Sequence, residues 1–481
     1  MKLTQDAAAR IAGQLGQAEL GDPRRSRRLE RFVAKLAVAP SASIPQALGS
    51  DAEVQGAYRL VNNRQVTFEA VLLPHVEATV QAARAVREVL VVHDTTDCSF
   101  PNLDPEELGY LQTGKAGFRL HFALAVDGDT WRRPLGVVHA ETIFRTTRRR
   151  GKRKKKSSGG ETAGRADREF GRWWRGVHAS ADRLADCPRV IHVADRESDS
   201  YELMWQAINA GQEFIFRVRV DRRSRHADAT GNDWATIKQV AAGCAGLLER
   251  EVALSRRKKK SAPGMNKAHP PRKGRNATLR FAATRVVIPR PQYLHDPVPK
   301  TLELNLVHVI EVNPPAGEPP VEWLLYTTLP VDSREQVEDI VDKYRTRWVI
   351  EEFNAALKSG CAYEEREFAS RDALLTMLAM SLPIACELLW LRSRARTNPD
   401  APASDVLTPL QIRVLRTLGN RRLAVRPTAE EALLAVAGLG GHLKRNGPPG
   451  WIVLYRGMQM LKAYETGWAA ADAAANRAGD L

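Results

Sequence analysis

The chain has 481 residues, 43% of them hydrophobic and 27% charged, which excludes wholesale disorder and leaves room for two or three domains. Lys and Arg number 72 against 56 Asp and Glu, a formal charge of +16 at pH 7; a balance this basic favours a polyanionic partner, nucleic acid first. Five scattered cysteines (Cys98, Cys187, Cys244, Cys361, Cys386) never pair as C-x-x-C, against both a disulfide framework and a structural zinc site. The start, MKLTQDAAARIAG, is charged and has no apolar h-region, so no signal peptide is read and a reducing, cytoplasmic location is expected.

Residues 1–67 read as short helices. In LGDPRRSRRLERFVAKLA, Asp22 is an expected N-cap and Pro23 the first helical residue. Arg24, Arg25, Arg27, Arg28 and Arg31 then crowd about two turns, suited to phosphate contacts or to an ordinary basic surface. A second helix, DAEVQGAYRLVNN, carries Tyr58 and Arg59.

From residue 86 the pattern changes to strands. REVLVVHDTTD ends an apolar run in Asp94, and GFRLHFALAVDGD and RPLGVVHAET alternate around a hairpin-like Asp127-Gly-Asp turn. A helix ADREFGRWWRGVHASADRL, a buried strand RVIHVAD ending in Asp195, a helix SYELMWQAINAG and a strand EFIFRVRV follow. Three strands, helix, strand, helix, strand is the order of a ribonuclease H-like α/β core. Residues 219–328 read as a β-rich insertion. A long helix is expected from Val331, carrying KYRTRWVIEEFNAALKSG. The apolar stretch 373–391 includes Thr376, Ser381, Pro383 and Glu387. A carboxylate near mid-membrane costs about 2.5–3.5 kcal/mol, so this stretch is read as a buried helix and no membrane partner is expected. The remainder, 398–481, reads as helical.

Reactive groups collect at the carboxyl ends of strands in such sheets. Asp94, Asp195 and a helical Glu351 could hold two Mg²⁺ ions, with Mn²⁺ substituting, for in-line phosphoryl transfer. The plainer reading of each aspartate is a turn or helix cap. Tyr344, Arg347, Glu351 and Lys358 follow Y-x2-R-x3-E-x6-K. On one helix their azimuths lie within about 60° of each other. That face presents a phenol, a guanidinium, a carboxylate and an ammonium, the cations placed to neutralise phosphates beside a metal-binding glutamate. Gly109 to Lys115 spells G-x4-G-K, but Ala116 replaces the Ser/Thr of a nucleotide-binding P-loop. Asp97 is read as a turn residue, and His93, His121 and His139 as core histidines.

Together these motifs make the chain resemble the DDE transposases of the insertion-sequence-four family along nearly its whole length. The matching segments are Leu20–Arg25 with Arg28, Gln55–Arg59, Asp94–Thr96, Asp195–Glu197, Asn313–Thr327 and YRTRWVIEEFNAALK. The resemblance implies a helical N-terminal DNA-binding domain (1–67), a catalytic core (68–397, with 219–328 inserted) and a helical C-terminal dimerisation domain (398–481). It implies a metal triad of Asp94, Asp195 and Glu351. It implies contacts to transposon-end DNA from Tyr344, Arg347, Lys358 and Arg217, with Arg24, Arg25, Arg28 and Arg59 in the N-terminal domain. Trp323 becomes the platform for a flipped base during hairpin formation. The family pattern has a lysine where this chain has Ala355 and a tryptophan where it has Leu357.

The expected activity is cut-and-paste transposition by a homodimer acting on double-stranded DNA, both the inverted-repeat ends and the target. Two other classes compete with it: a regulatory DNA-binding protein that no longer cuts, and a structure-selective nuclease on the same core. The charge is also localised. Arg145–Lys156 and Arg256–Arg275 hold nine Lys/Arg each and no acid, leaving the rest of the chain at −2. Both runs are expected to grip DNA backbone non-specifically.

Overall fold

Apolar segments with β-branched and aromatic residues supply the strands Val89–Ser99 (β1), Gly117–Asp127 (β2), Pro134–Ile143 (β3), Val190–Ala194 (β4), Glu213–Arg217 (β5), Arg223–His226 (β6), Ala235–Thr236 (β7), Gly246–Leu254 (β8), Arg275–Pro289 (β9), Thr301–Glu311 (β10) and Glu322–Thr327 (β11). The computed structural model describes residues 5–129, 132–146, 170–229, 233–254, 257, 271–368, 370–443, 449 and 451–479. All eleven strands join one mixed sheet in the order β3-β2-β1-β4-β5-β11-β10-β9-β6-β7, with β8 on β9. β1 runs antiparallel to β2 but parallel to β4, and β4 parallel to β5. From residue 89 to 217 the elements follow the order read from the sequence.

Two expectations need correction. β1 does not stop at Asp94: β2 pairs it as far as Ser99, opposite Gly117. Asp94 is therefore a mid-strand residue, and Asp97 lies inside the strand rather than in a turn. What stops near Asp94 is the parallel partner, whose last pair is His93 with Ala194. Residues 219–328 are rich in strands, as read, and those strands continue the sheet. β11 pairs with β5 through Leu325–Arg217, and β10, β9 and β6 extend the sheet beyond it.

The helix Gly171–Arg183 packs across β1, β2 and β3. Beneath it lie four histidines on neighbouring strands: His192, His93, His121 and His139. Burial pushes His192 and His139 down to about 4 and His93 and His121 well below the usual value. All four are neutral core groups near pH 7. Among the described residues no cluster of three His, Cys, Asp or Glu forms a metal cage.

The hydrogen bonds assign the tautomers of His192 and His93. His192 Nε2–H donates to Gln212 Oε1 (3.3 Å), and His93 Nε2–H donates to His192 Nδ1 (2.9 Å). The Thr95 hydroxyl accepts from Arg172 Nε (2.8 Å) and shares a hydrogen bond with His121 Nδ1 (2.9 Å). Among the described residues His93 Nδ1 and His121 Nε2 are left without hydrogen-bond partners. Both face Gly176, where a Cβ would lie 2.6 Å from His121 Nε2 and 3.3 Å from His93 Nδ1.

The N-terminal helices share one hydrophobic core with the sheet. Pro23–Val38 starts as read, with Asp22 accepting the Arg24 N–H at 2.8 Å. Within Arg371–Thr397 the span Arg371–Trp390 is long and apolar enough to cross a membrane, yet it is largely buried in protein. Leu374, Met377, Leu378, Leu382 and Leu388 are fully buried. Its Glu387 pairs with Arg10 of the first helix, Gln5–Leu15. Thr376 Oγ1 donates to Val66 O at 3.0 Å, and Arg366 donates to Pro40 O and Ala42 O. The C-terminal part supplies Pro409–Leu418, Ala429–Leu439 and Trp451–Gly479.

Gly176→Ala must push the Gly171–Arg183 helix off the histidine row. Overpacking of this kind costs about 1–3 kcal/mol, to be read as a lowered midpoint in chemical denaturation with an unchanged slope.

Candidate active site

Sheet register brings the two aspartates together. His93 faces Ala194 across the parallel β1–β4 pair, so the next residue of each strand, Asp94 and Asp195, reaches the same level. Asp195 leaves the sheet into the short turn Arg196–Ser198, whose Glu197 N–H it caps through Oδ1 at 2.8 Å. The capping reading is thus correct for one of its oxygens. Asp94, held in its strand, caps nothing.

The expected single long helix is broken into Arg334–Arg345, Trp348–Ala355 and a π-helical turn, Ala356–Gly360. At the first break the backbone tightens: Thr346 N–H bonds Lys343 O and Arg347 N–H bonds Tyr344 O. Tyr344, Arg347 and Glu351 still converge on the aspartates. Arg347 Nη2 donates to Glu351 Oε1 at 3.1 Å. Burial works against the Arg347 charge, yet Tyr344, Glu351, Asp94 and Asp195 together hold its pKa above the usual value.

Asp94 bears the opposite stress. Burial, then the neighbouring Asp195 and, less strongly, Glu351, push its pKa up to about 7; Arg347 and a hydrogen bond from Asn354 oppose the rise. That bond runs from Asn354 Nδ2 to Asp94 Oδ2 at 2.9 Å.

The three carboxylates form no closed ligand cage on their own, but the donor set suits a hard divalent cation. Each has one oxygen taken by a protein donor: Asp94 by Asn354, Asp195 by the Glu197 N–H, Glu351 by Arg347. Among the described residues each keeps a second oxygen with no hydrogen-bond partner. The like-charge stress on Asp94 is what a cation relieves.

Lys358 is carried by the π turn, where its ammonium donates to Asp97 O and lies 3.3 Å from Glu364. Arg217 lies over the Trp323 ring at 5.8 Å, and Trp323 meets Tyr344 edge-on at 5.6 Å. Trp323 is half-buried and Tyr344 buried at 3% exposure.

Sequence reading missed several neighbours. Arg119 and Arg172, both buried, converge on Glu197 Oε2 at 3.3 and 2.9 Å and brace the turn that carries Asp195. Trp348, 64% exposed, precedes Glu351 by one turn. Asn354 follows Glu351 by three residues; that helical spacing was the available signal.

Farther out, Arg24, Arg28 and Arg59 are exposed, with the Arg28 side chain lying over Gly56. Arg25 is half-buried and donates to Leu20 O and Gln65. Gly109 to Lys115 lies between β1 and β2, closed by a Tyr110–Ala116 bridge, with a strand and no helix after it; the P-loop reading is excluded. Most of both basic runs lies outside the described residues. Of the described members, Arg275 is pinned by Glu311 and Glu318.

Because the folded, metal-free protein holds the Asp94 proton up to about pH 7 while an unfolded chain releases it near 4, that protein loses stability as pH rises through this window. Asp94→Asn removes the repulsion. Melts in chelator should show the variant more stable than the native chain at pH 8, with the gap closing toward pH 5.

Two family models match the chain. The transposase DNA-binding model covers residues 8–66, which include the exposed arginines. The transposase DDE domain model covers residues 175–385, which include Asp195 and Glu351; Asp94 lies before that match and is joined to it by sheet register. The chain is a transposase of the DDE family, a metal-dependent, DNA-cleaving enzyme.

Proposed function

We propose that the enzyme is a cut-and-paste transposase of the insertion-sequence-four group, with motifs nearest to those of the transposon-five enzyme. Its core, residues 68–397, is ribonuclease H-like, flanked by an end-binding region (1–67) and a dimerising region (398–481). The observation that carries this reading is the convergence of Asp94, Asp195 and Glu351, with Tyr344 and Arg347, at one end of the sheet.

Asp94, Asp195 and Glu351 would hold two Mg²⁺ ions, with Mn²⁺ able to substitute. When bound, such a pair lowers the pKa of an attacking water or 3′-hydroxyl and neutralises charge on the phosphate in flight. The protein's own groups do the rest. Arg347 and Lys358 supply fixed positive charge beside the scissile phosphate. Arg24, Arg28 and Arg59 hold the backbone of the inverted-repeat end, and Arg25 braces the turn at Leu20 from which the helix of Arg24 and Arg28 starts. Arg217 and Tyr344 fix the Trp323 ring, giving a rigid indole against which a base flipped from the duplex can stack as the hairpin closes. The exposed Trp348 indole offers a second aromatic surface in the same region.

The basic runs fit this placement of DNA. β3 ends at Ile143, opposite Arg119, and β8 and β9 meet at Leu254–Arg275. Followed through the register, both anchor points lie at the carboxylate end of the sheet, the end at which DNA would be cut. Two ends must be held for transposition, so the active species is a homodimer, acting on transposon ends and then target DNA. The five cysteines are free, in keeping with a reducing, cytoplasmic setting.

Asp94→Ala should abolish cleavage of an inverted-repeat end in Mg²⁺ while leaving end binding intact; retained cleavage would overturn the triad. Trp323→Ala should spare the first nick and lower the yield of hairpin at least tenfold, read on denaturing gels of end-labelled substrate; base stacking on an aromatic is worth about 1–3 kcal/mol.

A further inference from the structure

Asn354 is the residue that sequence motifs passed over and the structure places against Asp94. It sits on the helix Trp348–Ala355, three positions after Glu351 and on the same face. Its Nδ2 donates to Asp94 Oδ2 at 2.9 Å across 260 residues of sequence. Its Oδ1 is buried and has no hydrogen-bond partner. An ionised carboxylate can only accept, so the amide must present its N–H₂ to Asp94 and its carbonyl elsewhere.

We propose that Asn354 is a positioning residue for the metal centre. Its N–H₂ occupies Oδ2 of Asp94 and leaves Oδ1 as the oxygen offered to the cation. Asn354 gives Asp94 a directional hydrogen bond, whereas Asp195, Glu351 and Arg347 act on it through charge. The orphaned carbonyl of Asn354 is an acceptor beside the same carboxylate. A hydrated divalent cation brings water molecules that only lack acceptors, so the carbonyl matches the donors that arrive with the ion. The same side chain thus ties the Glu351 helix to β1: the glutamate and the aspartate it serves are held in fixed relation by one amide.

This inference rests on the assignment of Asp94 as a metal ligand, and the test separates the two. Mn²⁺ is titrated into the full-length protein without DNA, and free Mn²⁺ is followed by its paramagnetic resonance signal. Asn354→Leu keeps the branched shape and removes both polar groups. Asn354→His restores an N–H at a similar distance from the backbone. Loss of a partner that orients a metal ligand typically weakens metal affinity about 10–100-fold. Asn354→Leu should show a loss of that size, and Asn354→His should recover most of it. Thermal melts in chelator and end binding without metal should match the native protein. A residue that merely fills space would show the reverse: Leu would bind Mn²⁺ like the native chain, and that result overturns the proposal. If the Leu variant melts early, Asn354→Ala gives the same comparison without an apolar group in the site. Asp94→Asn is the control. Native-like Mn²⁺ binding in that variant overturns the assignment of Asp94 itself. Weakened binding in Asp94→Asn together with native-like binding in Asn354→Leu overturns only the role given to Asn354.

Discussion

The parallel pairing of β1 with β4 is the constraint on which the rest of the site depends. It sets Asp94 beside Asp195 at a level where Asp94 cannot retreat into solvent without breaking the sheet. Two carboxylates in a half-buried position repel one another, and the native fold accepts that stress. The surroundings limit it. Arg347 stands over the pair, Asn354 and the Glu197 N–H each take one oxygen, and the histidine row beneath remains uncharged. Local destabilisation of this kind marks a place built for something other than folding.

A second ring of interactions keeps the aspartates from moving apart. Arg119 and Arg172 enter from β2 and from the helix Gly171–Arg183 and meet on Glu197, two residues beyond Asp195. Arg172 also reaches Thr95, the neighbour of Asp94 in β1. One buried guanidinium therefore spans the two strands that carry the aspartates. On the other side, the helix bearing Glu351 is tied to the same strand through Asn354.

Much of this was legible in the sequence because its signals are local. The strand runs, the Asp22 cap, the spacing of Tyr344, Arg347 and Glu351, and the polar residues inside an otherwise apolar helix all sit within one element. What was not legible depends on partners far away in the chain. The full length of β1 comes from β2, since a run ending in Asp94-Thr-Thr-Asp looks finished on its own. The merging of 219–328 with the core sheet rests on β11 finding β5, a hundred residues earlier in the chain. The π turn at Lys358 leaves no mark in the residue pattern, and it brings that ammonium to Asp97 O, in the strand that also holds Asp94. Arg25 looked like its neighbours, but only the folded chain shows that Leu20 O and Gln65 take its hydrogen bonds.

The way the N-terminal helices are built into the body has a consequence for where the enzyme cuts. Arg366 grips Pro40 and Ala42, Thr376 holds Val66, and Glu387 holds Arg10, all from segments next to or within the long apolar helix. No slack linker separates the arginine-bearing helices from the carboxylates. On the proposed reading the fold acts as a gauge, because packed side chains fix the offset between the arginine-bearing helices and the carboxylates. A chain built this way would count along DNA by its own dimensions, and an inserted base pair in the bound end would shift the break rather than stretch the protein.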